Sequence, residues 1–114
     1  MSHLSILPTV LRDETVLFQA LTDLGLQPVR QAVMGGFADE RQPVSVRVTL
    51  PEGLEVGWAL QPDRSLALVG DLQRLARSRS VQQWIGQITR RYAALLALQT
   101  AQQEIPGASV ALVP

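Results

Sequence analysis

The sequence predicts an α+β domain in which an antiparallel sheet of about five to six strands carries two helices on one face, in the order β-α-β-β-β-β-α-β. Two patterns predict it. Residues 44–50 and 54–60 alternate between apolar and other side chains around the turn Pro51-Glu52-Gly53, the signature of an antiparallel hairpin with one buried face. Val81, Trp84, Ile85, Ile88, Tyr92, Leu95 and Leu96 recur at helical spacing, which places them on one stripe of a long helix.

The elements follow in order. Leu4 to Leu11 reads as a first strand, and Pro8, which has no N–H for a ladder, assigns it to a sheet edge. Asp13 is placed to cap a short helix whose apolar positions are Leu17, Ala20, Leu21 and Leu24, with Gly25 just past its end and apolar Leu26 after it. Pro28 to Val33 forms a second strand, and Gly35-Gly36 opens a loop. Val44, Val46, Val48 and Leu50 then form one buried row, and Leu54, Val56, Trp58 and Leu60 the next. Gln61-Pro62-Asp63-Arg64 turns the chain into Leu66 to Val69. Ser80 and Gln83 have capping-box spacing, so the long helix runs from Ser80 to about Gln103. Pro106-Gly107 ends it, and Ser109 to Val113 returns as a last strand.

A chain of 114 residues corresponds to one domain, residues 1–114, with a core large enough to fold without staples. Ten basic and ten acidic side chains cancel, so no strong net field draws the chain to nucleic acid or anionic lipid. The charge is nevertheless uneven. Residues 1–71 hold five arginines and nine carboxylates, a net −4, whereas residues 72–114 hold five arginines and one carboxylate, a net +4. Cysteine is absent, which excludes disulfides, thiol catalysis and cysteine-ligated clusters and fits a reducing compartment. The start lacks the basic n-region of a secretory signal, and no apolar run is long enough to span a bilayer. A cytoplasmic location is expected. Lysine and asparagine are also absent, as a GC-rich genome would produce.

Few residues could carry chemistry. His3 has no second histidine or cysteine with which to share a metal, so its expected role is hydrogen bonding at the first strand. No metal or cofactor is expected. Arg91 lies about 60° from Ile88 around the helix and Arg90 about 200°. Arg91 thus sits at the rim of the buried stripe, where its guanidinium requires a carboxylate or carbonyl, Asp71 being the expected partner, while Arg90 points to water. Phe37 follows Gly35-Gly36 and is either a loop-tip contact or core. Arg74, Arg77 and Arg79 cluster before the long helix without the interleaved aromatics of a nucleic-acid surface. No nucleophile–base pair or carboxylate pair is fixed by spacing.

Met1-Ser2-His3-Leu4-Ser5, Ala20-Leu21-Thr22-Asp23-Leu24-Gly25, Asp71-Leu72-Gln73, Arg91-Tyr92-Ala93 and Thr100-Ala101-Gln102-Gln103 together resemble the family called hypothetical chloroplast reading frame thirty-five. The chain departs from that pattern at Leu4, where an aromatic residue is usual, at Arg74-Leu75-Ala76-Arg77, where an aromatic-rich segment is usual, and in its shorter tail, so it resembles a divergent member. The resemblance implies a photosynthetic lineage, with a cyanobacterial cytoplasm or a plastid stroma as the location, and no activity.

Three functions are open at this level. The first is a non-catalytic accessory or regulatory protein that binds a protein partner, with homo-oligomerisation open. The second is a module binding a small molecule or anion between helix and sheet. The third is an enzyme using His3 or Asp71 as acid–base. The candidate contacts are His3, Phe37, Asp71, Gln73, Arg91 and Tyr92.

Overall fold

The computed structural model describes residues 4–36 and 39–104. It contains β1 (Ser5–Leu7), α1 (Glu14–Asp23), β2 (Val29–Gly35), β3 (Arg41–Thr49), β4 (Glu55–Leu60), β5 (Leu66–Gly70), α2 (Leu72–Arg77) and α3 (Arg79–Glu104). The strands form one antiparallel sheet in the order β1-β5-β4-β3-β2. The predicted α+β class holds, with one more helix than expected. The predicted strand at Ser109–Val113 lies outside the described residues.

Local chemistry sets the boundaries. β1 stops before Pro8 and occupies an edge. Beyond it the chain stays beside β5 through the Thr9 hydroxyl, which donates to the Leu66 carbonyl, and the Leu66 N–H, which donates to the Leu11 carbonyl at 2.7 Å. The Asp13 side chain caps α1 by accepting from Val16 N–H at 3.1 Å. At the other end Gly25 takes φ +82°, and the N–H groups of Gly25 and Leu26 donate to the carbonyls of Thr22 and Leu21. That is the paired closure of a Schellman cap, and Leu26 is buried by it.

One sheet face meets the helices. Val46, Val48, Val56, Trp58 and Leu66 pack there against Leu17 and Leu21 of α1 and Val81 and Ile88 of α3. Trp84 is not a full core residue as its spacing suggests. It lies half-buried against the margin of this cluster, as do Ile85 and Leu95. Leu96 is exposed. The stripe is wider than the surface that α1 and the sheet offer it.

The opposite sheet face is not simply open. Val44 leaves the predicted row: β3 pairs with β4 only from Val46↔Trp58 to Thr49↔Glu55, while Ala32↔Val44 continues its pairing with β2. Val44 packs instead with Met34, Ala59 and Val69, and with Leu4 and Ala32. Gly57 makes this possible, because a Cβ there would come within 2.8 Å of Val44 Cγ1. The β2–β3 hairpin therefore curls across the back of the sheet. Its loop reaches the other edge, where Leu4 N–H donates to Glu40 Oε1 at 3.0 Å. Leu60, also predicted to be buried, is 61% exposed where β3 has departed from β4.

The β4–β5 turn carries the clearest titration effect. Asp63 Oδ1 accepts from the Ser65 hydroxyl at 2.6 Å and from Ser65 N–H at 2.9 Å. These bonds, with a smaller contribution from the Arg12 charge, hold its carboxyl below the ordinary value of 3.8. A depressed folded-state pKa contributes stability that is present above the unfolded value and lost as pH falls through the folded one. Asp63→Asn is therefore expected to flatten the acid limb of the stability profile below about pH 4. Denaturant midpoints measured across that range check it, and two parallel profiles contradict it.

Candidate functional site

The sequence-derived candidates do not converge. His3 and Phe37 lie outside the described residues. Asp71 caps α2, its Oδ1 accepting from Gln73 N–H at 3.1 Å and Arg74 N–H at 3.4 Å. Gln73 is exposed on α2. Arg91 does not pair with Asp71. Its guanidinium meets Asp23 at the end of α1, with Nη2 at 3.0 Å and Nε at 3.1 Å from Oδ2. The stripe-edge angle gave the direction of the side chain, while the position of α1 across α3 supplied the carboxylate. Tyr92 is buried, and its hydroxyl accepts from the N–H groups of Arg12 and Asp13 at 3.0 and 2.9 Å. Two adjacent residues of α3 thus hold the two ends of α1.

This arrangement separates the neighbouring arginines. Arg91 is one-third exposed and paired, whereas Arg90 is exposed. Arg91→Ala is expected to cost about 1 kcal/mol, discounted for its solvent contact, and Arg90→Ala less than about 0.5 kcal/mol. Equal thermal midpoints for the two variants contradict the assignment.

A different feature stands out at the corner between α2 and α3. The residues read as a connection form a helix: Asp71 caps it and Leu75 is buried against the core. The signal was available in an acidic cap followed by apolar Leu72 and Leu75, but three arginines within six residues, Arg74 to Arg79, obscured it. The predicted Ser80 cap moves to Ser78, whose hydroxyl accepts from Val81 N–H at 3.2 Å. Ser80 instead donates to Glu52 of the β3–β4 turn. Gln82 reaches back from α3 and donates to the carbonyls of Leu75 and Ala76 at 3.2 and 2.9 Å, closing the free carbonyl end of α2.

These bonds build one wall of an apolar groove. Leu7, Leu68, Leu75, Ala76, Gln82 and Ile85 line a volume of about 260 Å³ between β1, β5 and the two helices. Arginines flank it: Arg77 follows Ala76, and Arg79 lies one helical turn before Gln82, both exposed. Neither belongs to the two ion pairs found among the described residues, Arg30–Glu14 and Arg91–Asp23. A larger hollow of about 480 Å³ lies by Ile6, Pro8 and Ala67, but its polar residues Asp63 and Ser65 are bonded to each other. A smaller one of about 170 Å³ holds Glu55, Asp71 and Arg74, and there Asp71 is engaged by backbone donors. Among the described residues no group of three or more histidines, cysteines or carboxylates could hold a metal, and no helix is long and apolar enough to cross a membrane.

Fold and site define a small α+β protein whose sheet is curled on one face and covered by helices on the other, with an apolar groove at a helix corner. The chain belongs to the family described as protein of unknown function DUF1257, whose family model matches residues 20–111. No curated protein and no solved structure matches it significantly.

Proposed function

We propose that this protein is a single-domain, non-catalytic accessory or regulatory protein that acts by binding a protein partner. One observation carries the reading. Among the described residues, the candidate polar groups for chemistry are engaged by the fold itself: the Asp71 carboxylate caps α2, the Arg91 guanidinium pairs with Asp23, and the Tyr92 hydroxyl serves the start of α1. The exposed Arg77 and Arg79 of the α2–α3 corner belong to neither described ion pair and stand beside an apolar groove. The enzyme alternative draws on His3 or Asp71, and the ligand-module alternative on Arg91, Tyr92 and His3; His3 lies outside the described residues, and the other three already have partners. The resemblance to the chloroplast reading frame thirty-five family supports a cyanobacterial cytoplasm as the setting, finer than the family match itself.

Native mass spectrometry of the protein isolated from its own cells tests this. The expected result is a complex containing a second, different polypeptide. Recovery as a bare chain, or with only a small molecule attached, contradicts it.

A further inference from the structure

We propose that the groove between β1, β5 and the α2–α3 corner docks an acidic segment of a protein partner, which inserts a large apolar side chain. The proposal rests on the partner-binding reading and adds where the partner sits and what its surface is made of.

Shape supplies the first argument. The groove is a shallow, open hollow lined mainly by Leu7, Leu68, Leu75 and Ile85. Its volume of about 260 Å³ falls below the range of about 300–1,000 Å³ usual for small-molecule sites. It suits a single anchoring side chain of the kind that dominates protein interfaces. Gln82, the polar group on its wall, is committed to the α2 carbonyls. That bond holds the wall in place before a partner arrives, which lowers the ordering cost of binding.

Charge supplies the second. Arg77 ends α2 and Arg79 opens α3, one residue beyond Ala76 and one helical turn before Gln82 of the groove wall. Both are exposed and outside the described ion pairs. Glu52 approaches this corner through its bond to Ser80, one carboxylate beside two guanidinium groups. The complement of such a rim is an acidic surface, which would steer and orient the partner.

The other polyanions fit less well. Single-stranded nucleic acid uses exposed aromatic rings for stacking, whereas Tyr92 is buried and Trp84 packs against the core. A bilayer takes up apolar side chains that protrude from a basic face, whereas in this groove Leu68 and Leu75 are buried and Leu7 and Ile85 half-buried.

The test is affinity selection of a random peptide library on the wild-type chain, with counter-selection on Ala76→Trp, a substitution at an exposed lining position that fills the groove. Enriched peptides are expected to combine Asp or Glu with one large apolar residue. A synthetic peptide of that class should bind at least about tenfold more weakly to Ala76→Trp and to the Arg77→Glu/Arg79→Glu variant, about 1.4 kcal/mol. Its affinity for the parent should fall with added salt. Circular dichroism establishes that both variants are folded. Enriched peptides without acidic residues, no enrichment over Ala76→Trp, or undiminished binding to either variant overturns the proposal. So does tighter retention on phosphatidylserine vesicles or on an RNA oligomer, lost in Arg77→Glu/Arg79→Glu, which would assign the cations to lipid or nucleic acid. A natural partner that remains bound to Ala76→Trp in native mass spectrometry removes the groove while leaving the partner-binding reading intact.

Discussion

Ile88→Ala is expected to lower the stability of the fold by about 2–5 kcal/mol. Ile88 is 1% exposed and packs in the cluster that joins α3 to α1 and the sheet. Truncation removes apolar burial and leaves a cavity whose walls are held from several directions. Val46 and Val56 are fixed by the sheet ladder, and Leu17 and Leu21 by a helix secured at both ends through Tyr92 and Arg91. Little collapse can relieve the loss, which argues for the upper half of that range. Chemical denaturation measures it. A midpoint unchanged from the parent would mean that another face of α3 lies on the sheet.

The second large effect belongs to the back of the sheet. Gly57→Ala is expected to cost about 1–3 kcal/mol through overpacking, because its new Cβ would stand 2.8 Å from Val44 Cγ1 and 3.2 Å from Val44 Cβ and Cγ2. The β-branched Val44 side chain cannot swing away freely, so the curled hairpin itself must give. Val44→Ala removes the two methyl groups involved. The double variant should therefore be less destabilised than the sum of the single changes, the coupling expected of residues in contact. Strict additivity would contradict the curl of β2–β3 over β4.

These two sites show what could be read from the sequence and what could not. The row around Ile88 was legible because helical spacing and a single buried face are local properties of the chain. Alternation likewise located β3, β4 and their turn, where Gly53 takes φ +89°. The curl was not legible, because alternation records which side a residue would occupy in a continuous ladder. Val44 lies where β3 parts from β4. A hint remained in Gly57 and Ala59, two small residues facing the back at the place the hairpin crosses. Arg91 illustrates the same limit at the candidate site. Its angle from Ile88 fixed its rim position, but the choice of Asp23 over Asp71 depended on where α1 crosses α3. The α2–α3 groove was hidden for a further reason: its walls come from β1, β5 and two helices, and one of those helices reads as a charged connection.

Partner docking at that corner is the central proposal, and the footprint of a co-purifying polypeptide on this chain tests it most directly. Backbone amide chemical-shift mapping of the isotope-labelled protein, titrated with the polypeptide that co-purifies with it, provides that footprint. The largest shifts are expected at Leu7, Leu75, Ala76, Arg77, Arg79, Gln82 and Ile85, the groove and its basic rim. Shifts centred on the exposed strand β2, or around Asp71 and Glu55, with the α2–α3 corner unchanged, would contradict the account.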